Sequence, residues 1–170
     1  GYILTGSLGT QAGLAPQVLL DCNVNTEHIQ KTAMAMMLPY ELTDYWLGHT
    51  GPSPAMKRVY AILEQFGYRK DDCRRYPCFD PANPVKSKEP RIKVLTLLRG
   101  KQALVAAGNT GDGGKLDLDL SGLAFSAPVV LDAETGEIIG RGDHLTGEMP
   151  YHYYRLLIIK EAAGTQEQGQ

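Results

Sequence analysis

Four polar side chains follow a short apolar run near the beginning of the sequence. The run, residues 17–20, is predicted to be a buried strand, and it leads into Asp21, Asn23, Asn25 and Glu27. If that strand belongs to a β/α barrel, side chains at its carboxyl end lie at the active site. Carboxylates there can act as acid, base or acceptor of sugar-hydroxyl hydrogen bonds in glycoside cleavage. Asp21 and Glu27 are therefore the candidate catalytic residues, and Asn23 and Asn25 are candidates for substrate binding.

Helix capping is a simpler explanation of the same cluster. Asn25 or Thr26 can accept hydrogen bonds from the free backbone N–H groups of a helix predicted over residues 27–38. Glu27 suits the positive end of that helix dipole, and Asp21 then does no more than end a strand. Capping accounts for half of the cluster, so both interpretations stay open at this point.

The motifs of metal and phosphate sites are incomplete elsewhere in the chain. Residues 117–122 resemble the start of an EF-hand loop, but position twelve is Pro128, where a bidentate Glu is needed. The glycine-rich residues 108–114 precede Lys115 and a predicted strand, whereas a phosphate-binding loop needs Lys-Ser/Thr and a helix. The histidines lack helix-face metal spacing; they are His28, His49, His144 and His152. We therefore predict no metal site and no cofactor.

The composition is that of an ordinary globular protein and argues against two classes of partner. The chain has 170 residues, 43% hydrophobic and 21% charged, with a formal net charge of -2. That charge attracts neither nucleic acid nor anionic membranes, and no apolar run reaches the roughly 20 residues of a membrane span. The sequence begins at Gly1 without an initiator Met or a signal peptide, which indicates that Gly1 is not the translation start. We expect a soluble protein, either cytoplasmic or secreted.

The state of the cysteines is open on the sequence alone. There are three, Cys22, Cys73 and Cys78, and an odd number excludes a fully paired intrachain framework. A bridge between Cys73 and Cys78 fits the spacing, while the low cysteine content favours free thiols throughout.

A second helix and a proline-rich segment precede a series of strands. Ser53 and Pro54 are typical of a helix start and Gly67 of a helix end, which predicts a helix over residues 54–66. Its apolar residues recur at helical spacing; they are Met56, Val59, Tyr60, Leu63 and Phe66. Residues 68–90 contain four prolines and mixed charges, so we expect a packed linker without regular structure.

The second half of the chain has the pattern of an all-β domain. Strands are predicted over residues 92–99, 102–107, 115–120, 127–132, 137–139 and 153–160. Leu116, Leu118 and Leu120 alternate with polar residues, as in a strand with one buried face. Short strands separated by turns favour an antiparallel sandwich. The predicted fold class is α+β: an N-terminal helical segment, the tail of a β/α barrel, followed by an antiparallel β-sandwich.

Four sequence stretches, taken in chain order, resemble one known group of proteins. They are T-A-M-A-M-M-L-P-Y-E-L-T-D-Y-W, R-G-K-Q-A-L-V-A-A-G-N, D-A-E-T-G-E and Y-Y-R-L-L-I-I. The chain resembles the C-terminal region of large bacterial glycoside-hydrolase-like proteins, in which a catalytic (β/α) barrel precedes an antiparallel β-sandwich. The resemblance implies a barrel end in residues 1–67 and the sandwich in residues 91–161. Residues 68–90 are the linker between them, and the last residues, 162–170, are expected to be a disordered tail.

The resemblance also implies a carbohydrate substrate and an incomplete barrel. Most of the barrel, with most of its catalytic carboxylates, is expected in an N-terminal portion or a companion chain. The sandwich is then a structural accessory domain, and this chain alone is expected to be inactive. In isolation the two helices are expected to expose apolar faces.

A non-catalytic carbohydrate-binding or protein-interaction module is the alternative function. Such modules present aromatic rings to sugars, and the available aromatic residues are Trp46, Tyr151, Tyr153 and Tyr154. Trp46 is accordingly a further candidate for substrate binding. Because Tyr153 and Tyr154 adjoin a predicted core strand, one of them is expected to point inward.

Overall fold

The computed structural model describes residues 27–41 and 54–162. Helix α1, Glu27–Met37, continues as the 3₁₀ turn Leu38–Tyr40. The α-helix gives way there because Pro39 lacks the N–H group that the next helical hydrogen bond needs. Helix α1 therefore ends within one residue of its predicted end.

Helix α2, Pro54–Phe66, has the predicted bounds. Gly67 ends it in the left-handed conformation, at φ 85°, and donates its N–H to the Leu63 carbonyl oxygen at 3.1 Å. The Tyr68 N–H reaches the same oxygen at 3.0 Å, which closes the last turn. Across the described segments, no helix is long and apolar enough to cross a membrane.

The described residues form nine strands in two antiparallel sheets. They are β1 (Arg74–Tyr76), β2 (Lys86–Ser87), β3 (Ile92–Arg99), β4 (Gln102–Asn109), β5 (Gly114–Asp119), β6 (Pro128–Asp132), β7 (Ile138–Arg141), β8 (His144–Met149) and β9 (Tyr154–Glu161). The larger sheet has the order β1-β3-β4-β9-β6-β7, and the smaller sheet has the order β2-β5-β8. The predicted α+β class, with antiparallel strands after the helices, is confirmed.

One apolar core lies between the two sheets. Strands β3, β4, β6 and β9 of the larger sheet and β5 and β8 of the smaller sheet contribute to it. Leu116 and Leu118 enter this core from β5, as their period-two alternation predicts. Leu118 is paired with Leu145 of β8, so the apolar faces of these two strands coincide.

A second core lies between the two helices and the other face of the larger sheet. The helical segment contributes Met34, Ala35, Leu38, Met56, Val59, Leu63 and Phe66, and the sheet contributes Leu95, Leu97, Leu104, Ala106, Tyr154 and Leu156. For the described residues, the expectation that both helices expose apolar faces is wrong. The outer sheet face is itself apolar, and covering it with the helices removes both surfaces from water.

Residues 68–90 also differ from expectation, because they contain β1 and β2. Strand β1 pairs with β3 in the larger sheet and β2 pairs with β5 in the smaller sheet. Between them the buried side chain of Asn83 donates from Nδ2 to the carbonyl oxygens of Tyr76 and Val94, at 2.9 and 3.0 Å. The prolines of the segment have no N–H group to donate, and the Asn83 amide supplies donors to these carbonyl oxygens. Because the segment contains β1 and β2, the prediction that it lacks regular structure is wrong.

Strand β8 is an element that the sequence pattern did not predict. Of its six residues, Leu145 and Met149 are the buried ones, which leaves too few inward positions for a clear alternation. It lies at the edge of the smaller sheet and pairs with β5 there. Its placement follows from this pairing, which is a contact distant in sequence.

Candidate functional site

The predicted site residues lie at or before the start of α1, or between the two described segments. Asp21, Asn23, Asn25 and Trp46 are outside the described residues. Glu27 is the first residue of α1, and its helical backbone is what the structure describes. The catalytic and the capping interpretations of this cluster therefore both stay predictions.

Three consecutive aromatic side chains lie between β8 and β9, and we call Tyr151, His152 and Tyr153 the aromatic edge. Tyr151 is 52% exposed, and its ring stacks on that of His152, with centroids 3.6 Å apart and planes at 19°. His152 has a φ of 48°, which is rare for a residue other than glycine. In an extended strand, consecutive side chains point to opposite faces. The turn at His152 instead places the two rings face to face.

Tyr153 and Tyr154 join this edge to the core and to α1. Tyr154 is 2% exposed, and burial raises the pKa of its hydroxyl. This confirms that one of the pair points inward. The Lys31 ammonium of α1 lies 5.3 Å from the centroid of the Tyr153 ring, within cation–π range. Because Lys31 follows Glu27 by about one helical turn, the start of α1 lies beside the aromatic edge.

Asn109, at the end of β4, holds the backbone of the aromatic edge in place. Its side chain is 1% exposed, and Nδ2 donates to the carbonyl oxygens of Pro150 at 3.0 Å and Asp112 at 3.3 Å. Its Oδ1 accepts the Gly111 N–H at 3.1 Å, and its own N–H donates to the Tyr153 carbonyl oxygen at 2.9 Å. One buried amide thus ties the glycine-rich loop to the turn. The sequence signal for it was an Asn opening a glycine-rich loop directly after a strand.

An arginine–carboxylate pair borders the same loop. The Arg91 guanidinium donates from Nε to Glu89 Oε1 at 2.9 Å and from Nη2 to Oε2 at 3.1 Å. This pairing lowers the pKa of Glu89. A Cβ on Gly114 would lie 3.8 Å from Arg91 Nη2, and one on Gly113 would lie 3.9 Å from the Tyr151 nitrogen. Gly114 therefore borders the ion pair, and its neighbour Gly113 borders the aromatic edge.

A polar cavity of about 190 Å³ lies between residues 78–90 and the start of β3. Its polar lining includes Cys78, Asp80, Asn83, Ser87, Glu89 and Lys93. Burial raises the pKa of the Cys78 thiol to about 11, so this sulfur is protonated near neutral pH and is a poor nucleophile. Cys73 and Cys78 are both free, which excludes the proposed bridge between them.

Most carboxyl groups with shifted pKa values in the described segments are in structural ion pairs or hydrogen bonds. The pKa is lowered for four carboxyl groups, and the main cause in each is a hydrogen bond from an Arg, Ser or Lys side chain. They are Asp72, Glu89, Asp119 and Glu161. Burial raises the pKa of Glu41, but its carboxylate also lies 3.3 Å from the Arg75 guanidinium. Glycoside cleavage uses two carboxyl groups that flank one bond, and these dispersed pairs do not form such an arrangement.

The described segments hold no group of three or more His, Cys, Asp or Glu side chains placed to bind a metal ion. His144 of β8 is bonded through Nε2 to Asp117 of β5 at 2.6 Å. This contact joins neighbouring strands on the exposed face of the smaller sheet, and it lacks the further ligands that a metal site needs.

Solved glycoside hydrolases share the fold of this chain. The α-galactosidase I of Mortierella vinacea matches with a TM-score of 0.54 and 17% identity, over 85% of this chain and 39% of that chain. The GH27 β-L-arabinopyranosidase of Geobacillus stearothermophilus matches with a TM-score of 0.55 and 18% identity, over 82% and 32%. A maltogenic α-amylase of Thermotoga neapolitana matches with a TM-score of 0.51 and 11% identity, over 95% and 45%.

These likenesses concern structure. No family model matches the sequence, and no curated protein matches it. The chain spans between 32% and 45% of the length of the three enzymes. It therefore has a fold related to that of a part of several glycoside hydrolases.

Proposed function

We propose that this chain is the C-terminal portion of a carbohydrate-active enzyme of the glycoside hydrolase type. In this proposal residues 1–67 complete a catalytic barrel, residues 68–90 join the two parts, and residues 91–161 form a structural accessory domain. The shared fold with enzymes two to three times longer than this chain supports it.

The observation that carries the proposal is the fold shared with the three glycoside hydrolases, over 82% to 95% of this chain. Within this fold the helices and the larger sheet share a core. Met34 and Leu38 of the first helical segment and Leu63 of α2 pack in one cluster with Leu97 and Leu156 of the sheet. A sheet that covers helices in this way can hold them in position for a preceding barrel. Burial of such side chains contributes roughly 1.5–3 kcal/mol each, so the joint is a substantial source of stability.

The chemistry in this proposal belongs to the polar cluster before and at the start of α1. Asp21 and Glu27 are the catalytic carboxyl candidates, and Asn23, Asn25 and Trp46 contact the sugar. Most of the barrel and at least one further carboxylate come from an N-terminal portion or a companion chain. The substrate is a glycoside, and nucleic acid is not a partner.

Hydrolysis of a panel of aryl glycosides tests the proposal. The panel contains α-galactoside, β-L-arabinopyranoside, α-glucoside and β-xyloside, and the complete gene product is compared with the 170-residue chain. We expect the gene product to cleave at least one of them and the chain alone to cleave none. Failure of the folded gene product on every glycoside would contradict the proposal.

Substitution of Asp21 identifies its role in the active gene product. We expect Asp21→Asn to lower kcat by about a hundredfold or more, as for loss of a catalytic acid or base. Asp71→Asn, at an exposed carboxyl of the joining segment, is the control and leaves kcat unchanged. If Asp21→Asn keeps full activity, the cluster has a capping role only.

A non-catalytic carbohydrate-binding module is the second candidate function. The exposure of Tyr151 on the aromatic edge favours it, since aromatic rings are common platforms for sugars. The two functions differ in one result, because a module binds a glycan without cleaving it in any form of the gene product.

A further inference from the structure

We propose that the aromatic edge is a sugar-binding platform of the two-sheet domain, on which the apolar face of a pyranose ring stacks against Tyr151. The ring of Tyr151 is one of the large apolar groups most exposed to solvent in the described segments. One face of this ring stacks on the ring of His152, at a centroid distance of 3.6 Å. One face of the tyrosine ring is thus supported by protein, and the 52% exposure of Tyr151 leaves surface available to a flat ligand.

Hydrogen bonds within the protein hold the backbone around the platform. Asn109 holds the turn through its bonds to the carbonyl oxygens of Pro150 and Asp112. The backbone of Tyr153 is held by the Asn109 N–H at 2.9 Å. A ligand that meets a pre-ordered backbone loses less free energy to ordering of the protein, which favours binding.

Polar groups suited to sugar hydroxyls border the platform. Gly113 lies beside the Tyr151 nitrogen, and the next residue, Gly114, lies beside the Arg91–Glu89 pair. The guanidinium can donate and the carboxylate can accept, which is the combination that neighbouring hydroxyl groups of a pyranose require. Neither glycine places a side chain beside the Tyr151 backbone or the ion pair.

The aromatic edge and the ion pair therefore favour a neutral, hydroxyl-rich ring with one apolar face. A galactopyranoside fits this description, because its axial O4 leaves the hydrogens of C3, C4 and C5 on one face. This inference rests on the second candidate function and deepens it. It is separate from the catalytic function, since the aromatic edge lies within residues 91–161 and the catalytic candidates lie within residues 1–67. Binding is measured on the 170-residue chain without hydrolysis, so the two proposals fail independently.

Titration of the 170-residue chain with methyl β-D-galactopyranoside, followed by ¹H–¹⁵N correlation spectra, tests the platform. Galactitol, an open-chain polyol, is the ligand control. We expect shifts concentrated at residues 111–114 and 151–153 with the glycoside and none with galactitol. Tyr151→Ala is expected to weaken binding about tenfold or more, and Tyr151→Trp to retain it.

Phe79→Ala is the matched protein control, because Phe79 is also an exposed aromatic residue, at 40%, but lies in a different loop. It is expected to leave the affinity unchanged. Saturation-transfer spectra on the unsubstituted chain, with the largest transfer to H3, H4 and H5 of the sugar, test the stacking without any variant. Equal affinity of Tyr151→Ala and wild type, transfer spread evenly over the sugar, or no binding of the glycoside would each overturn the proposal.

Discussion

At the scale of single residues, two buried asparagines hold the loops of this domain. Asn83 links the segment before β3 to the larger sheet, and Asn109 links the glycine-rich loop to the aromatic edge. In each side chain the amide nitrogen donates hydrogen bonds and the carbonyl oxygen accepts them, so neither polar group is left without a partner. Such residues act on function indirectly, by fixing the backbone that presents exposed groups.

Asn83→Ala is expected to lower the free energy of unfolding by about 2–4 kcal/mol, because several buried partners lose their bonds together. The partners include the Val94 carbonyl oxygen at 3.0 Å and the Thr96 hydroxyl at 2.7 Å. Chemical denaturation measures the change. Thr96→Val removes one of these bonds with little change of shape and is expected to cost about 1 kcal/mol. Equal losses in the two variants would show that Asn83 does not organise the segment.

The thiol of Cys78 is expected to resist alkylation in the folded chain. Its pKa of about 11 leaves about a thousandth of it as thiolate at pH 8, and that fraction rises about tenfold per pH unit. Iodoacetamide labelling, read by mass spectrometry in a Cys22→Ser background, should be slow at pH 8 and faster at pH 10. Equal rates for folded and denatured protein at pH 8 would contradict the burial of this sulfur.

At the scale of elements, the close approach of α1 to β4 determines how the helices lie on the sheet. A Cβ on Gly108 would clash with the Ala35 carbonyl oxygen and would lie 2.8 Å from Pro39 Cγ. Gly108 pairs with Lys93 of β3 and Tyr154 of β9, so it is in the middle of the larger sheet. The absence of a side chain there is what lets the helix backbone pack directly on a strand.

Gly108→Ala is therefore expected to destabilise the chain by about 2–3 kcal/mol, since either helix or strand must move. Gly147→Ala, also in a strand, is the control, because a Cβ at Gly147 meets nothing within 4 Å. That control is expected to be neutral or to stabilise by about 0.5 kcal/mol through the unfolded state. Thermal and chemical unfolding of both variants provide the comparison, and equal stability would refute this helix–sheet contact.

The elements differ in how well the sequence predicts them, for physical reasons. Helix α2 has local start and stop signals in Pro54 and Gly67, and its bounds were predicted correctly. Strands β3, β4 and β9 are apolar over most of their length because both of their faces are buried. Strand β8 and the helix-covered face of the sheet depend on contacts between residues distant in sequence. The hydrophobic periodicity of the sequence does not reveal such contacts.

The candidate site shows the same division. Tyr151 is an available aromatic residue on composition alone, and strand alternation predicts that one of Tyr153 and Tyr154 points inward. That the inward one is Tyr154 comes from the structure. Asn109 and the Arg91–Glu89 pair gain their roles only when separate loops meet. The cluster at Asp21 lies outside the described residues, so its catalytic role stays a prediction.

At the scale of the whole molecule, three layers share two cores: the helices, the larger sheet and the smaller sheet. The middle layer contributes to both cores, and loss of either outer layer would expose one of its faces. The helical segment is therefore the outer layer that covers one face of the larger sheet, whatever else it contacts.

A truncated chain of residues 68–170 is expected to expose the sheet face that contains Leu95, Leu104 and Leu156. An apolar surface of this kind favours aggregation and binding of hydrophobic dyes. Dye fluorescence and size-exclusion chromatography, compared with the full chain, measure both effects. A truncated chain that stays monomeric and binds no dye would show that the helices are not needed to shield the apolar face of the sheet from water.

The central claim is that the two-sheet domain supports the catalytic part of a glycoside hydrolase. Its most direct test is the thermal inactivation of glycosidase activity in the complete gene product, with Gly108→Ala compared with Gly147→Ala. We predict that Gly108→Ala inactivates at a lower temperature while kcat/KM well below that temperature is unchanged, and that Gly147→Ala behaves as wild type. The claim is contradicted if the folded gene product cleaves no glycoside, or if Gly108→Ala inactivates at the wild-type temperature.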